Sequence, residues 1–335
     1  MNLLKFATIG ELKGYLTKFN IPTYRAEQLF DWVYKKNVFD FAQMSNIPKD
    51  FKNKIPQNDS FSLPTVKKIQ KSIDGTKKVL LELEDKKLIE MVIIPNKKKN
   101  TLCVSSQVGC KIGCSFCATA KMGFLRNLYF YEIISQYLLC KKIFPDDEVG
   151  NIVFMGMGEP LINYQELIKS LKMFKDVLNF NPKRITVSTC GIIPGIIKLS
   201  QFPLKVKLAV SLFSPIQKIR KQYIPIAKKY PLDKLKKCLL SYVKTTKRPV
   251  TIEYLLMNEI NLEDIKSLKR FLGDISCKLN VIPYNSICND EIVKKIEIEK
   301  SVKLLKKNLP FAVTLRKKYG DDIQGACGQL VVENY

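Results

Sequence analysis

Three cysteines stand close together in the segment Cys110-Lys-Ile-Gly-Cys114-Ser-Phe-Cys117. Thiolates at this spacing can ligate one face of a cubane iron–sulfur cluster, and three protein ligands leave the fourth iron open for another ligand. A structural zinc site would need a fourth Cys or His nearby, and none follows at zinc-like spacing. Buried thiols that came together by chance are the remaining alternative. The spacing and the glycine-containing loop favour a cluster.

Two further cysteines lie outside this motif. Cys103 precedes it in TLCVSSQVGC, and Cys327 lies near the C-terminus in the glycine-rich segment GDDIQGACGQL. The flanking glycines predict that Cys327 lies on a mobile loop, which suits a thiol that must meet more than one partner. Four others have the apolar neighbours that are typical of buried structural thiols: Cys140, Cys190, Cys238 and Cys277. Cys288 is ambiguous.

The composition limits the classes of protein to which this chain can belong. The start of the chain, MNLLKFATIGELKGYL, lacks the apolar run of a signal peptide. Ten cysteines in a chain of 335 residues without an export signal therefore predict reduced thiols and a cytoplasmic protein. No stretch approaches the roughly 18 apolar residues of a membrane-spanning helix, so no membrane partner is expected. The absence of histidine leaves acid–base chemistry to carboxylates, lysines, thiols or bound water.

The chain is strongly basic. Its 56 Lys and Arg residues exceed its 31 Asp and Glu residues, which gives a formal charge of +25. Such an excess favours a polyanionic partner such as RNA or DNA, although compositional drift would give the same lysine-rich chain. The candidates for positioning phosphates, for each of which a solvated surface charge is the favoured alternative, are Arg25, Lys121, Arg126, Arg316, Lys317 and Lys318.

The periodicity of apolar residues predicts an α/β fold. Residues 1–75 are predicted to be a small basic helical domain with a linker, because ELKGYLTKF and YRAEQLFDWVYKK repeat apolar residues at helical steps. Residues 76–98 hold two apolar runs around EDKK, which predict a β-hairpin. Residues 99–335 alternate six strand candidates with amphipathic helices, which predicts a parallel sheet, either open or a partial barrel, with its chemistry at the carboxyl ends of the strands. The strand candidates are TLCVSSQ, NIVFMGMG, RITVSTCG, VKLAVSLF, TIEYLLM and LNVIPYN.

A glycine-rich turn, GMGEP at residues 156–160, follows the second strand candidate. Glycines let backbone approach a ligand closely, and a carboxylate beside exposed carbonyls can bind an ammonium group. Alone, this motif is equally a plain turn. Together with the cysteine motif and Phe116 beside the last cysteine, it resembles the radical SAM superfamily, which places a GGEP-like motif one strand after its cluster loop.

This resemblance implies a partial (β/α)6 barrel that holds a [4Fe–4S] cluster on Cys110, Cys114 and Cys117. The open iron would bind S-adenosylmethionine, which an electron from the cluster cleaves to a 5′-deoxyadenosyl radical. Histidine is usual in the family where this chain has Phe213, so contact there must come from backbone or from stacking. The family's cofactor contacts, for which a buried or capping role is the alternative, fall on Gly158, Glu159, Ser188, Ser211, Leu212, Phe213 and Asn285.

Within that superfamily the chain resembles the RlmN/Cfr family of RNA adenine methyltransferases over essentially its whole length, through TLCVSSQVGC, CSFCATAKMGFLRNL, FMGMGEPLIN and GDDIQGACGQL. The resemblance implies that Cys327 takes a methyl group from one S-adenosylmethionine and that cleavage of a second converts this group into a carbon radical. The radical adds to adenine, and Glu90 accepts the displaced proton. Cys103 then releases the product by forming a transient disulfide with Cys327. On the sequence alone, Glu90 would be a surface carboxylate on a strand.

The substrates that the resemblance implies are adenine 2503 of 23S rRNA and adenine 37 of some tRNAs, methylated at C2. A flavodoxin-type electron donor and a monomeric enzyme are expected. The nearest alternative is the branch of the same family that methylates C8, although GMGEP and CVSSQVGC favour the C2 branch. A second alternative is an RNA-binding protein with a structural or redox-sensing cluster, which would form no 5′-deoxyadenosine from the cofactor and a reductant.

Overall fold

A computed structural model describes residues 1–285 and 297–332 of the protein, so Cys288 lies outside the described residues. Within them the strands form one sheet of ten strands and another of two. The strands are β1 (Thr65–Lys71), β2 (Lys77–Glu82), β3 (Leu88–Ile94), β4 (Asn100–Cys103), β5 (Gln107–Gly109), β6 (Phe124–Asn127), β7 (Val149–Phe154), β8 (Ile185–Thr189), β9 (Lys207–Ser211), β10 (Val250–Leu256), β11 (Cys277–Pro283) and β12 (Val313–Leu315).

The large sheet has the strand order β1-β2-β3-β4-β7-β8-β9-β10-β11-β12. From β4 to β12 neighbouring strands are parallel and follow one another along the chain, which is what right-handed strand–helix–strand crossovers produce. The six strand candidates are β4, β7, β8, β9, β10 and β11, so the predicted α/β class is confirmed. β12 adds a parallel strand that the sequence does not predict, because only Val313 of its three residues is buried.

Helices connect the parallel strands and pack on the sheet. Four of the amphipathic segments between the strand candidates are helical as predicted. None of the helices that the structure describes combines the length and the apolar composition that a bilayer crossing requires. The helices are α1 (Ile9–Leu16), α2 (Tyr24–Phe30), α3 (Phe51–Lys54), α4 (Ala118–Lys121), α5 (Phe130–Ile143), α6 (Tyr164–Lys172), α7 (Ile193–Gln201), α8 (Gln217–Tyr223), α9 (Leu232–Thr246), α10 (Leu262–Leu272) and α11 (Ile298–Asn308).

Helices α1, α2 and α3 make up the N-terminal part of the chain. Leu12 and Leu16 of α1 and Leu29 of α2 are fully buried, so the two helices pack through their apolar faces. Thr8 caps α1, because its hydroxyl oxygen accepts a hydrogen bond from the Glu11 N–H at 3.1 Å. The helical periodicity of this region therefore reflects the burial of these apolar faces.

The hairpin predicted over residues 76–98 is formed by β2 and β3. β1 precedes it and pairs antiparallel with β2, so we call these three strands the hairpin extension. β3 in turn pairs antiparallel with β4, where Val92 lies opposite Cys103. On its other side Cys103 pairs with Val153 of β7. The hairpin extension therefore continues the parallel sheet, and it places Cys103 at the end of a strand between two neighbours.

Candidate active site

The three cysteines of the motif lie on a loop between β5 and α4, which we call the cluster loop (residues 110–117). The small sheet of β5 and β6 closes this loop, since the Cys110 N–H donates to the Gly123 carbonyl at 2.8 Å. Gly109 is required at the crossing, because its φ is +71° and an added Cβ would lie 2.0 Å from the Gly123 oxygen. The loop thus turns all three thiols toward one cavity.

That cavity, which we call the cofactor cavity, opens at the carboxyl ends of the parallel strands. Its space, together with the solvent at its open mouth, amounts to about 1060 Å³. The structure brings most of the predicted cofactor contacts together on its walls: Gly158, Glu159, Ser188, Ser211, Phe213 and Asn285. Leu212 differs, because its side chain is fully buried in the core and does not line the cavity.

The glycines of the GMGEP turn allow close packing of protein against protein. A Cβ on Gly156 would lie 2.8 Å from the Val104 carbonyl, and a Cβ on Gly158, whose φ is +99°, would lie 2.6 Å from the Cβ of Gln107. Val104 lies in the connection between β4 and β5, and Gln107 is the first residue of β5. The glycines therefore let the turn after β7 pack on this part of the chain, whereas the sequence alone indicated only close approach to a ligand.

Glu159 of the same turn is a buried carboxylate that backbone groups hold in place. One oxygen accepts a hydrogen bond from the Cys190 N–H at 2.8 Å, and the other accepts one from the Leu161 N–H at 3.1 Å. Burial raises the pKa of the Glu159 carboxyl group. No lysine or arginine of the described part of the chain forms an ion pair with it, so a cationic group of a ligand would stabilise its charged form.

Phe213 contributes an aromatic ring to the cavity wall. Its φ is +63°, a left-handed backbone conformation that is rare for a bulky residue. The ring stacks on Phe116 of the cluster loop at 5.0 Å between centroids and on Tyr223 of α8 at 4.3 Å. The Tyr223 carbonyl also accepts a hydrogen bond from the Ser115 N–H at 3.1 Å. At this position, where the resemblance implies histidine, the chain supports the cluster loop by ring stacking.

Asn285 lies where β11 has ended and faces the cavity. Its side-chain Nδ2 donates a hydrogen bond to the carbonyl oxygen of Cys327 at 3.1 Å. Its Oδ1 is buried and has no hydrogen-bond partner among the described residues. An unsatisfied buried acceptor costs about 1–3 kcal/mol, so this oxygen is suited to accept a hydrogen bond from a ligand.

A second cavity, which we call the thiol cavity, adjoins the first. Cys103 and Cys327 both line it, and Cys327 and Arg316 line both cavities. Burial raises the pKa of Cys103 to about 12, while the charge of Arg316 acts in the opposite direction. Arg316 was expected to position a phosphate, but the structure places its guanidinium group beside the two thiols.

The segment that carries Cys327, which we call the thiol loop (residues 320–330), is attached to the hairpin extension. The Gly320 N–H donates to the Asp74 carboxylate at 2.8 Å, and the Asp322 carboxylate accepts a hydrogen bond from the Ser72 hydroxyl at 2.5 Å. Asp74 thus accepts a hydrogen bond from the thiol loop, and Asp322 of the thiol loop accepts one from Ser72.

The other end of the thiol loop is attached to α4, directly after the cluster loop. The Ala118 N–H donates to the Gly328 carbonyl at 2.7 Å. The Thr119 hydroxyl donates to the Leu330 carbonyl at 2.6 Å. The loop expected to be mobile is therefore anchored on both sides of Cys327.

Glu90 of β3 lies apart from both thiols. Its carboxylate pairs with the Lys78 ammonium group at 3.0 Å and accepts a hydrogen bond from the Val331 N–H at 3.0 Å. It lines a third, polar cavity beside the hairpin extension, and neither the cofactor cavity nor the thiol cavity. The side chain is buried, so the interpretation from sequence alone, a carboxylate on the surface of a strand, is wrong.

Comparison with known proteins agrees with this architecture. Residues 1–59 match the family described as ribosomal RNA large subunit methyltransferase N-terminal domain, and residues 104–272 match the radical SAM superfamily. A curated relative from Clostridium novyi, named probable dual-specificity RNA methyltransferase RlmN, is 43% identical over 98% of this chain and 97% of its own. The relative of the same name from Syntrophomonas wolfei is 40% identical over 96% of this chain and 95% of its own. The chain belongs to the RlmN family of radical SAM enzymes.

Solved structures agree with membership of the RlmN family. The crystal structure of a radical SAM methyltransferase from Sphaerobacter thermophilus superimposes with a TM-score of 0.90 at 34% identity and covers 98% of this chain and 99% of that chain. Streptococcus suis SuiB, bound to S-adenosylmethionine, has a TM-score of 0.50 at 15% identity over 65% of this chain and 50% of that chain. The second likeness concerns the fold alone. The resemblance stated from the sequence is therefore confirmed.

Radical SAM proteins such as the RlmN enzymes use a [4Fe–4S] cluster and S-adenosylmethionine, and the residues of the site fit both. No three Cys, Asp or Glu side chains of the described residues surround one point closely enough to hold a single metal ion. A cubane does not require such a point, because each thiolate binds a different iron atom. The carboxylate of Glu159, without a cationic partner, suits the ammonium group of the cofactor, and the unsatisfied oxygen of Asn285 suits a hydrogen-bond donor.

Two residues on the wall of the cofactor cavity were not predicted from the sequence. Cys190, predicted to be only structural, lines the cavity and holds Glu159 through its N–H. Glu253 of β10 also lines it, accepts a hydrogen bond from the Asn280 amide at 2.8 Å, and has a pKa that burial raises. A charged residue inside the apolar segment TIEYLLM was the available signal. The other cysteines predicted to be structural are buried or half-buried and line neither cavity: Cys140, Cys238 and Cys277.

Proposed function

We propose that this enzyme methylates C2 of adenine 2503 in 23S rRNA, and C2 of adenine 37 in some tRNAs, by way of Cys327. The observation that supports this most is that Cys327 lines both the cofactor cavity and the thiol cavity. This position supports a thiol that receives a methyl group on one side and delivers it on the other. The curated relatives carry the name dual-specificity RNA methyltransferase, which supports RNA as the substrate class.

The cofactor cavity prepares the first half of the transfer. The bound cofactors supply the methyl group and, after one-electron reduction, the carbon radical chemistry that methylation of an electron-poor carbon requires. Cys110, Cys114 and Cys117 would hold the cluster, and Glu159 would bind the ammonium group of S-adenosylmethionine. The ring of Phe213 closes one wall and excludes water from the reacting groups.

The two thiols divide the second half between them. Cys327 would lose its proton and attack the methyl group, so that S-adenosylhomocysteine leaves and Cys327 becomes a thioether. The 5′-deoxyadenosyl radical would take one hydrogen atom from this thioether, and the methylene carbon would bond to C2 of adenine. The adduct would then lose the C2 proton and one electron, which the oxidised cluster would accept. The thiolate of Cys103 would attack the sulfur of Cys327, so that a sulfur–sulfur bond forms as the carbon–sulfur bond breaks, and the released carbon would take up a proton to become the methyl group. An external donor of flavodoxin type supplies the electron for the cluster, and a reductant returns the disulfide to two thiols.

The C2 proton needs an acceptor, and Glu90 is the residue that the resemblance assigns to this step. Its carboxylate is engaged by Lys78 and by the Val331 N–H. Glu90 lines neither the cofactor cavity nor the thiol cavity, so transfer of the proton to it requires that the C-terminal segment and the ion pair rearrange when RNA is bound. This role stays a prediction, which variants of Glu90 and Lys78 can test.

The RNA is expected to approach the thiol cavity. Residues 316–318 place three consecutive cations on its wall, and Lys121 on α4 is exposed. Arg126 is instead engaged by Asp85 at 2.7 Å and Glu132 at 2.8 Å, so it is less suited to a phosphate. The target base must leave its stack to reach Cys327, and the net charge of +25 favours binding of the surrounding phosphates. An enzyme of ribosomal and transfer RNA acts in the cytoplasm, and we expect a monomer.

The proposed function is tested by anaerobic reconstitution with iron and sulfide, followed by incubation with S-adenosylmethionine, reductant and unmodified 23S rRNA or tRNA. Mass spectrometry of the digested RNA should detect 2-methyladenosine, and C327S should give none. A product methylated only at C8 would assign the enzyme to the sister branch. Failure to form 5′-deoxyadenosine would instead indicate a cluster without radical chemistry.

A further inference from the structure

Arg220 of α8 is the largest side chain that is fully buried in this protein's described residues. Its Nε donates a hydrogen bond to the Leu212 carbonyl at 3.0 Å, and its Nη2 donates one to the Cys190 carbonyl at 2.6 Å. The Ser211 carbonyl lies 3.5 Å from the same Nη2. These three carbonyls belong to the carboxyl ends of β8 and β9, directly behind the wall of the cofactor cavity. The guanidinium group therefore ties together two strand ends that face the cofactor.

The charge of Arg220 has no carboxylate to balance it. No Asp or Glu of the described chain forms an ion pair with it, and its Nη1 is buried without a hydrogen-bond acceptor. A buried and unpaired cation is strongly unfavourable, and carbonyl dipoles offset only part of that cost. This arrangement points to a negative charge that is present in the working enzyme and absent from the polypeptide alone.

The groups near Arg220 that could carry a negative charge are the thiols of Cys190 and Cys114. Burial lowers the pKa of Arg220, whereas the proximity of Cys190 and Cys114 raises it. Cys114 is one of the cluster ligands, so its sulfur is a thiolate when iron is bound. Three thiolates outweigh the positive charge of an oxidised cubane core, and reduction adds one more negative charge. Net charge around such a cluster is one of the factors that set its reduction potential.

We propose that Arg220 is a positioning residue whose buried charge balances the negative charge of the cluster and thereby makes the cluster easier to reduce. The inference rests on the cluster that radical SAM enzymes of this family bind, and it is independent of the RNA that is methylated. The helix that carries Arg220 also carries Tyr223, whose ring stacks on Phe213. α8 thus supplies the balancing charge, the ties between strand ends and the support of the cluster loop.

The test compares reconstituted wild-type protein with R220M in the absence of RNA. Each protein is titrated with titanium(III) citrate and mediator dyes, and electron paramagnetic resonance measures the reduced cluster. At the potential that reduces half of the wild-type cluster, the ratio of reduced to oxidised cluster in R220M should be about tenfold lower, which corresponds to about 59 mV for one electron. R248M is the matched control, because Arg248 binds the Val206 carbonyl at 3.2 Å near the opposite ends of the strands, and its ratio should equal that of the wild type.

A second variant separates charge from structure. R220K keeps the charge and loses the planar set of donors, so its ratio of reduced to oxidised cluster should stay within about twofold of the wild type. An R220M protein that holds its iron and keeps the wild-type ratio would overturn the inference. If R220M does not fold, R220K decides alone, because a tenfold lower ratio with the charge retained would also overturn it. If the variants show these ratios but the wild-type enzyme makes no 2-methyladenosine, the proposed function is refuted and this inference stands.

Discussion

The carboxylate of Asp322 accepts a hydrogen bond from the hydroxyl group of Ser72 at 2.5 Å and so joins the thiol loop to the hairpin extension. The Ile73 N–H donates to the same carboxylate at 3.2 Å. We expect D322A to lose about 1–3 kcal/mol of local stability, because two donors lose their acceptor. Hydrogen exchange measured by mass spectrometry should become faster in residues 320–328.

The same variant should separate two products. Methylated RNA should fall several-fold because Cys327 is held less firmly, whereas formation of 5′-deoxyadenosine should persist because the cluster loop is untouched. D146A, which removes an exposed carboxylate from the loop between α5 and β7, is the matched control and should change neither product. An equal loss of both products in D322A would contradict a role limited to the thiol loop.

Burial of Cys103 should be visible in its chemical reactivity. Because its pKa is raised to about 12, the thiol is almost entirely protonated at neutral pH, and only the thiolate reacts quickly with alkylating agents. Alkylation of Cys103 by iodoacetamide, followed by peptide mass spectrometry, should therefore remain slow at pH 7 and continue to accelerate above pH 9. R316M should slow it further, since the loss of a positive charge raises the pKa of a neighbouring thiol. A rate that levels off near pH 8.5, as for an exposed cysteine, would refute this expectation.

Glu90 and Lys78 form one ion pair, so their variants distinguish proton transfer from anchoring. If Glu90 accepts the C2 proton, E90Q should accumulate protein covalently joined to RNA, because methylation of Cys327 and addition to adenine precede loss of the proton. K78M removes the same ion pair but keeps the carboxylate, and it should accumulate no adduct. Gel electrophoresis of protein–RNA adducts measures both. Equal behaviour of the two variants would show that the pair only anchors the C-terminal segment.

The two shuttle thiols should give opposite phenotypes when replaced. C327A should form no methylated RNA, because no other described thiol lines both cavities. C103A should accept the methyl group, add it to adenine and then remain attached to the RNA, since nothing attacks the sulfur of Cys327. C277S, which changes a half-buried thiol remote from the site, should release product normally. Free 2-methyladenosine from C103A would refute the resolving role.

The fold could be predicted where buried positions correspond to apolar residues in the sequence. The parallel strands are buried on both faces and appear as short apolar runs, as in Val250–Leu256. β1 shows the limit, because none of its residues is fully buried and its sequence TVKKIQK has no apolar run. A strand of this kind is defined by its hydrogen bonds to β2, which the sequence does not reveal.

The site could be predicted where its residues are close in sequence, as in the cluster loop and the GMGEP turn. Arg220 could not, because IQKIRKQYIP resembles any basic helix, and only the tertiary fold places this one cation in the interior. The prediction that Glu90 lies on the surface was wrong for a related reason. Ile89 and Met91 on either side of it are buried as well, so β3 is covered on both faces and the alternation of a half-exposed strand does not apply.

The pairing of β3 with β4 has a consequence for how the polypeptide can be divided. Thr101, Leu102 and Cys103 bond on one side to the hairpin extension and on the other to β7. A fragment that begins at residue 99 would leave the backbone amides and carbonyls of β4 open along one margin, a template on which a second molecule could add its own strand. The antiparallel strands therefore protect the catalytic half of the enzyme from polymerisation, in addition to anchoring the segment that bears Cys327.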